Sequence, residues 1–450
     1  MMRNRILVML GASALPAQGP PDLAGPLTLA DCLAEALDRS PAAASAEAAA
    51  AEAGETADST RAAYYPNLEM DGGASRWQRH IFLPEHIGFP GTKIPSTVGP
   101  VDDYALSFVA RYTLFDSGAR KALLGAARSA ADASVSRRDQ ARQDVALSVT
   151  RAFFDLESAR GLRDVARESL ARAKDHERIA EERKKAGAVP LVDVLRARVE
   201  VSNAELDGVR ADGNLRVARG RLATAMGLPA DTELSIVAEA GVAEAPDVKS
   251  VHADLNRAAQ RRPSVLAAAA EVEAARRGVA QARSAFGPKL TASASYGWED
   301  DSWLPSDRTW SVGVGVSLPI FTGFSRTHDL ARSRQELARA RADLDAARLA
   351  AREETWKAFS ETEEAYEALQ ATDALVASAM ESHRLAGERY RVGAGTLTDV
   401  LDAQTAFAQA EARRVSARAA YGVAKARYLW SLGDLAVERT GSRTAFDAGR

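Results

Sequence analysis

The chain has 450 residues, 26% of them charged, and a net charge of −3 at pH 7. No basic field is present to attract nucleic acid, so nucleic acid is not expected as a partner. Cys32 is the only cysteine, which excludes an intramolecular disulfide and a cysteine metal cluster.

The N-terminus carries Arg3 and Arg5, an apolar run from Ile6 to Leu10, then Ala12-Ser13-Ala14 and Leu15-Pro16-Ala17. Positive, apolar and small residues in that order predict a secretory signal over residues 1–17, too short to be retained as a spanning helix. No later run approaches the roughly 20 apolar residues that a membrane helix needs. An exported chain of this kind enters a membrane, if it does, as strands. Leu29-Ala30-Asp31-Cys32 faintly resembles a bacterial lipidation site, but Asp31 stands where a small residue is required. Cys32 is therefore read as a buried small residue near a helix start.

A helical run from Thr28 to Tyr64 comes first, followed by strands predicted at about 66–77 and 103–115. Between Asp103 and Phe115, Tyr104, Leu106, Phe108, Ala110, Tyr112 and Leu114 alternate with Ser107, Arg111 and Thr113, the period of a strand with one apolar face. A long helix is predicted over 120–186. Val145, Ala152, Ala159, Ala166, Ala173 and Ala180 recur there at steps of seven, the spacing of helices lying side by side as in coiled coils. A glycine turn and a helix over 190–225 complete the unit.

The chain then repeats itself. Leu33 to Pro41, with Pro66 beyond, returns as Leu255 to Pro263, with Pro288 beyond, at an offset of 222. Leu114 to Arg120 returns as Ile320 to Arg326, and Ala186 to Leu195 as Val392 to Leu401, both at an offset of 206. The 16 extra residues of the first copy therefore lie between Pro66 and Phe115. The first repeat spans 27–235. The second spans 250–435, with a helical run from Ala253 to Ala285, strands at about 289–298 and 308–321, a long helix over 326–391 and a helix over 397–430. Residues 436–450 are expected to form a flexible tail. Each long helix, at 1.5 Å per residue, reaches about 100 Å and is matched by two runs about half as long.

The fold class is mainly α with a small β part: long antiparallel coiled-coil helices, four strands and an internal two-fold repeat. Trp77, Tyr104, Tyr296, Trp298 and Trp310 lie near the strand ends, in the manner of a transmembrane barrel's aromatic girdle. Four strands cannot close a barrel, and open edges are not viable in lipid, so several copies must share one.

This ordered set, occurring twice, resembles the TolC family of outer-membrane efflux proteins. The residues that carry the resemblance are Phe-Asp-Ser-Gly-Ala-Arg at Phe115 to Arg120 and Val-Gly-Ala-Gly-Thr-Leu-Thr-Asp-Val-Leu-Asp-Ala-Gln at Val392 to Gln404, and it covers Leu27 to Leu435. It implies a homotrimer with a 12-stranded barrel in the outer membrane of a Gram-negative bacterium and a helical tunnel in the periplasm. The implied partners are a periplasmic adaptor protein, an inner-membrane pump of the RND or ABC type, and outer-membrane lipid. The implied function is a passive exit duct of a tripartite efflux or type I secretion system. A pore gate is implied at Asp193, Tyr390, Asp399 and Asp402, with the two last forming an acidic ring. Gly395 departs from the family, which often carries a basic residue there. Asp193 and Asp399 each also begin a helix, where a carboxylate caps free N–H groups. The adaptor is expected at the tips: Gly187, Ala188, Val189, Pro190 and Leu191, and Gly393, Ala394, Gly395, Thr396 and Leu397.

Catalytic chemistry is not legible. The six histidines show no metal-ligand spacing, and there is no P-loop, nucleophile elbow or catalytic carboxylate pair, so neither an enzyme nor a cofactor or metal is expected. His80 and His86, in the long loop between the first two strands, are the one histidine pair in a setting open to metal contact. Glu181-Glu182 and Arg183-Lys184-Lys185 read as a solvated helix face. The competing reading is a non-conducting periplasmic coiled-coil scaffold, which has no use for lipid-facing strands.

Overall fold

A computed structural model describes residues 25–80, 97–239, 243–247 and 249–435. The signal segment 1–17, His86 and the tail 436–450 lie outside them. The helices are α1 (Leu29–Arg39), α2 (Pro41–Arg61), α3 (Ala119–Lys185), α4 (Leu191–Ala225), α5 (Val251–Arg261), α6 (Pro263–Ser284), α7 (Ser325–Arg391) and α8 (Leu397–Leu432). The strands are β1 (Asn67–His80), β2 (Thr97–Phe115), β3 (Lys289–Asp300) and β4 (Asp307–Ser317). Two compact units result. One takes the chain up to Ala36, Val149–Ala243 and Ala371–Ala419; the other takes Leu37–Ser148, Glu244–Gln370 and the chain from Ala420.

The runs expected as single helices at Thr28–Tyr64 and Ala253–Ala285 are each broken in two. Ser40 and Arg262, 222 positions apart, have ψ of 123° and 135°, and each precedes a proline that opens the next helix. The proline ring excludes the α conformation from the residue before it, so the break is local and obligatory. Cys32 is fully buried on α1, and Asp31 beside it accepts a hydrogen bond from the Thr28 N–H at 3.0 Å while donating its own N–H to Thr28 Oγ1, a helix cap.

In the second unit the four strands form one antiparallel sheet in the order β1-β2-β3-β4. The rows Met70, Phe108, Tyr296, Trp310 and Leu68, Ala110, Ala294, Val312 run straight across it. Between them lie Glu69, Val109, Ser295, Ser311 and Asp71, Ser107, Gly297, Thr309, whose side chains point to the opposite face. On that polar face Ser295 and Ser311 hydroxyls meet at 2.9 Å and Arg111 pairs with Glu69. The apolar face has no cover: Leu68, Met70, Trp310, Val312, Val314 and Val316 are each at least 66% exposed. Burying one such side chain is worth about 1.5–3 kcal/mol, so a whole exposed face demands an apolar surrounding.

The strand ends differ from those expected. β1 and β2 continue pairing out to His80 and Thr97, while β3 leaves β2 at Tyr104 opposite Asp300. The described part of the first hairpin therefore extends past the rest of the sheet. β4 stops at Ser317 rather than 321, because Pro319 has no N–H for the ladder. Strand gives way to helix through two left-handed residues in each copy, Ser117 and Gly118 in the first and Gly323 and Phe324 in the second, again 206 apart.

In the first unit the step of seven marks the packed seam: Ala152, Ala159, Ala173 and Ala180 of α3 are all buried. α4 answers with Val194, Ala197, Val201 and Ala204, at alternating steps of three and four, all buried. Short side chains on both sides allow the close approach of a coiled-coil seam. Arg198 ties the same helices together at their rim, reaching Glu177 at 3.2 Å and Glu181 at 2.7 Å.

Candidate functional site

The two helix tips are built alike. α3 ends when Gly187 turns left-handed at φ +72°, its N–H reaching Lys184 O at 2.9 Å while the Ala188 N–H reaches Arg183 O at 2.9 Å. α7 ends the same way at Gly393, φ +80°, with Gly393 N–H on Tyr390 O at 3.1 Å and Ala394 N–H on Arg389 O at 2.8 Å. A glycine that adopts positive φ without strain lets the last carbonyls of each helix be satisfied within three residues. The tips are consequently short, and Gly187, Ala188, Pro190, Leu191, Gly393, Ala394 and Thr396 are exposed, with Val189 and Gly395 half-buried. Leu397 is different: only 2% exposed, it belongs to the core and offers no surface at the tip.

The next helices start differently. Thr396 and Asp399 form a reciprocal cap, the Thr396 N–H donating to Asp399 Oδ2 at 3.0 Å and the Asp399 N–H donating to Thr396 Oγ1 at 3.2 Å. These bonds hold the Asp399 carboxyl below its ordinary range. At the equivalent place in the first copy stands Pro190, which has neither an N–H nor a hydroxyl, and α4 has no side-chain cap. Asp193 is thus spared from capping while Asp399 is committed to it.

Tyr390 lies 3% exposed among Ala180, Val194, Ala197, Leu397 and Val400. Its hydroxyl is buried without a hydrogen-bond partner, so it does not bond Asp193. Burial raises the phenol above its ordinary pKa, the Arg183 charge opposing and the Asp193 charge adding. The neighbour that does engage Tyr390 is Arg183, whose Nη1 donates to Tyr390 O at 2.5 Å and whose guanidinium stands 4.5 Å from the ring centre. Within the solvated face read at residues 181–185, Glu182, Lys184 and Lys185 are exposed, but Arg183 is half-buried against α7 and Glu181 is paired with Arg198. Nothing in the local charge run marks Arg183 out, and the repeat pairs it with Arg389, which reaches only its own tip, at Ala394 O.

Asp402, one turn beyond Asp399, is exposed. It shares an open groove between α4 and α8 with Arg196, its counterpart in the first copy, and Arg196 Nη1 donates to Thr398 Oγ1 at 3.3 Å. Of the four expected gate residues, Asp193, Tyr390 and Asp399 lie at the helix ends themselves and Asp402 on the surface beyond. Among the described residues no group of three or more histidine, cysteine or carboxylate side chains is placed to hold a metal, and no helix is long and apolar enough to cross a membrane.

The model of the family described as outer membrane efflux protein matches residues 32–228 and 255–433, so that both repeats are covered. Protein CyaE of Bordetella pertussis is 27% identical over 413 residues, 90% of this chain and 83% of that protein. The outer membrane protein VceC of Vibrio cholerae superposes with a TM-score of 0.75 at 20% identity, covering 90% of this chain and 96% of that one. The Campylobacter jejuni CmeC outer membrane channel does so at 0.77 and 19%, covering 90% and 85%. With the duplicated helix and strand unit, the lipid-ready sheet and a family match over both halves, the chain belongs to the outer membrane efflux protein family, and it is a non-enzymatic efflux channel of a Gram-negative outer membrane.

Proposed function

We propose that three copies assemble as a homotrimer, each giving four strands to one 12-stranded barrel in outer-membrane lipid, with the long helices forming the periplasmic duct. The observation that carries this reading is the sheet itself: β1 and β4 have no partner on their outer edges among the described residues, while one face is apolar. An unpaired backbone group in hydrocarbon costs about several kcal/mol, and an edge of ten residues multiplies that, so the sheet must be closed by other copies before it enters lipid.

The duct is passive. It receives substrate from an inner-membrane pump, RND or ABC in type, through a periplasmic adaptor that docks on the tips Gly187 to Leu191 and Gly393 to Thr396. Asp193 and Tyr390 belong to the closed gate, and Asp399 with Asp402 to an acidic ring that focuses a cation-attracting field. The short glycine turns support the docking reading, since they let another helical hairpin approach closely. Recording from the purified protein in planar bilayers tests the function: discrete, cation-preferring conductance is expected, whereas inserted protein that never conducts would favour a scaffold. Ala188→Cys and Ala394→Cys should crosslink to the adaptor, and capture only from mid-helix cysteines would place docking elsewhere.

A further inference from the structure

We propose that Arg183 is a latch: a residue of the first repeat that ties the end of α7 to the end of α3 and so fixes the tip in the arrangement seen in this structure. The proposal rests on the reading of the tips as a gate and goes beyond it by naming the group that couples one helical hairpin to the other within a single chain.

Arg183 occupies the last turn of α3, and its Nη1 donates across to the carbonyl of Tyr390 in the last turn of α7 at 2.5 Å. That carbonyl also accepts the Gly393 N–H at 3.1 Å, so both of its lone pairs are engaged at the point where α7 terminates. A cation is favourable there for a second reason, because the unsatisfied carbonyls at a helix C-terminus carry partial negative charge. The guanidinium also stacks over the Tyr390 ring at 4.5 Å, which is buried and therefore a fixed platform. Gly393 is required by its left-handed φ of +80° rather than by space, since a Cβ there would stand in ordinary contact, 3.8 Å from Arg183 Nη2.

The contact is one-sided. Arg389, at the same position of the second repeat, bonds Ala394 O of its own tip at 3.3 Å and, among the described residues, no residue of the first. Gly395 carries no side chain, so Arg183 is the cation seated on Tyr390. What Tyr390 contributes is its ring and its carbonyl. The hydroxyl is buried without a hydrogen bond of normal geometry. A guanidinium-to-carbonyl bond reinforced by the ring predicts about a tenfold shift in tip opening when Arg183 is truncated.

The test uses the full-length protein in detergent and in bilayers, with Arg183→Ala, Arg183→Lys, Tyr390→Phe and Tyr390→Leu. Hydrogen exchange at the Gly393 and Ala394 amides reads the latch directly, and mid-helix amides control for folding. Arg183→Ala is expected to speed tip exchange about tenfold, Tyr390→Leu to do so less strongly by removing the ring, and Arg183→Lys to fall between, since an ammonium lacks the planar fork. Tyr390→Phe keeps the ring and the carbonyl and should therefore speed exchange less than Arg183→Ala does. Unchanged tip exchange in Arg183→Ala, or a Tyr390→Phe effect as large as it, overturns the latch. Conductance in the same variants separates the two readings: faster exchange with higher conductance supports both, while faster exchange with unchanged conductance upholds the latch and refutes the tip as the constriction.

Discussion

Arg120 and Arg326, 206 positions apart, fasten strand to helix in the same way. Arg120 donates to Ala63 O at 3.3 Å and Leu114 O at 3.4 Å, and Arg326 to Ala285 O at 3.1 Å and Pro319 O at 2.8 Å. Ala63 and Ala285 are themselves 222 apart, as are Tyr64 and Phe286, over whose rings the two guanidinium groups lie at 5.1 Å and 5.6 Å. Each arginine thus joins the end of a short helix, the end of a strand and the start of a long helix. The two sites differ in their charged or polar side-chain partner. Arg120 pairs with Asp116 at 2.8 Å in a site where both side chains are at most 15% exposed, and Arg326 meets the Thr322 hydroxyl at 3.1 Å.

That difference ranks two substitutions. Arg120→Ala removes the charge partner of a largely buried carboxylate, which keeps only the Gly118 and residue-120 backbone N–H donors, and is expected to cost about 3 kcal/mol, whereas Arg326→Ala loses hydrogen bonds but strands no charge and should cost about 2 kcal/mol. Denaturant titration of the two variants checks the order, and an Arg326→Ala loss equal to that of Arg120→Ala would mean that the ion pair adds nothing.

The helix caps separate the two acids of the second tip. Thr396→Ala should destabilise the start of α8 by about 1 kcal/mol, since the Asp399 N–H loses its acceptor, and leave ion selectivity nearly unchanged. Asp402→Asn should do the reverse, lowering cation preference and block by multivalent cations without fraying α8. Bilayer reversal potentials alongside exchange at Thr398 and Asp399 decide. Unchanged selectivity in Asp399→Ala, Asp402→Ala channels would mean that neither carboxylate faces the pore.

Acid should loosen the helical unit through His176 and His383, whose rings lie 6.0 Å apart with both Nε2 atoms buried and unpartnered, His383 also stacking on Phe407 at 5.7 Å. Burial lowers both pKa values; for His176 the His383 charge acts next in the same direction, and for His383 the Arg172 charge does. A folded-state pKa below the unfolded one makes the unfolded chain bind more protons between the two, so the stabilisation is present above about pH 6.5 and lost as pH falls through that window. Protection factors in this unit, with the pH dependence of intrinsic exchange divided out, should fall between pH 7.5 and 5.5, and a His176→Phe, His383→Phe variant should be flatter. Equal slopes would assign the pH response to other groups.

The repeat made most of this legible. Alternation at Tyr104, Phe108 and Tyr112 named the apolar face of the sheet, and the seven-residue step named the seam at Ala173 and Ala180. The breaks at Pro41 and Pro263 were read through because apolar helical spacing continues on both sides of each, although the proline rule alone excludes a continuous helix. β1 and β2 ran beyond their expected ends because Asp102, Asp103 and Gly99 carry no alternation, and pairing there is extended by the neighbouring strand. At the site, the tips announced themselves by glycine. Arg183 did not, since its role depends on a carbonyl of another helix, and neither did His176 with His383, which sit 207 apart and so fall one residue outside the repeat.

The central claim is that several chains close one barrel, and counting the chains tests it most directly. Native mass spectrometry of protein extracted from the outer-membrane fraction should give particles of three chains, since three sets of four strands satisfy every edge of β1 and β4. A stable single chain in that fraction would contradict the account, because its open strand edges and uncovered apolar face would then have no explanation.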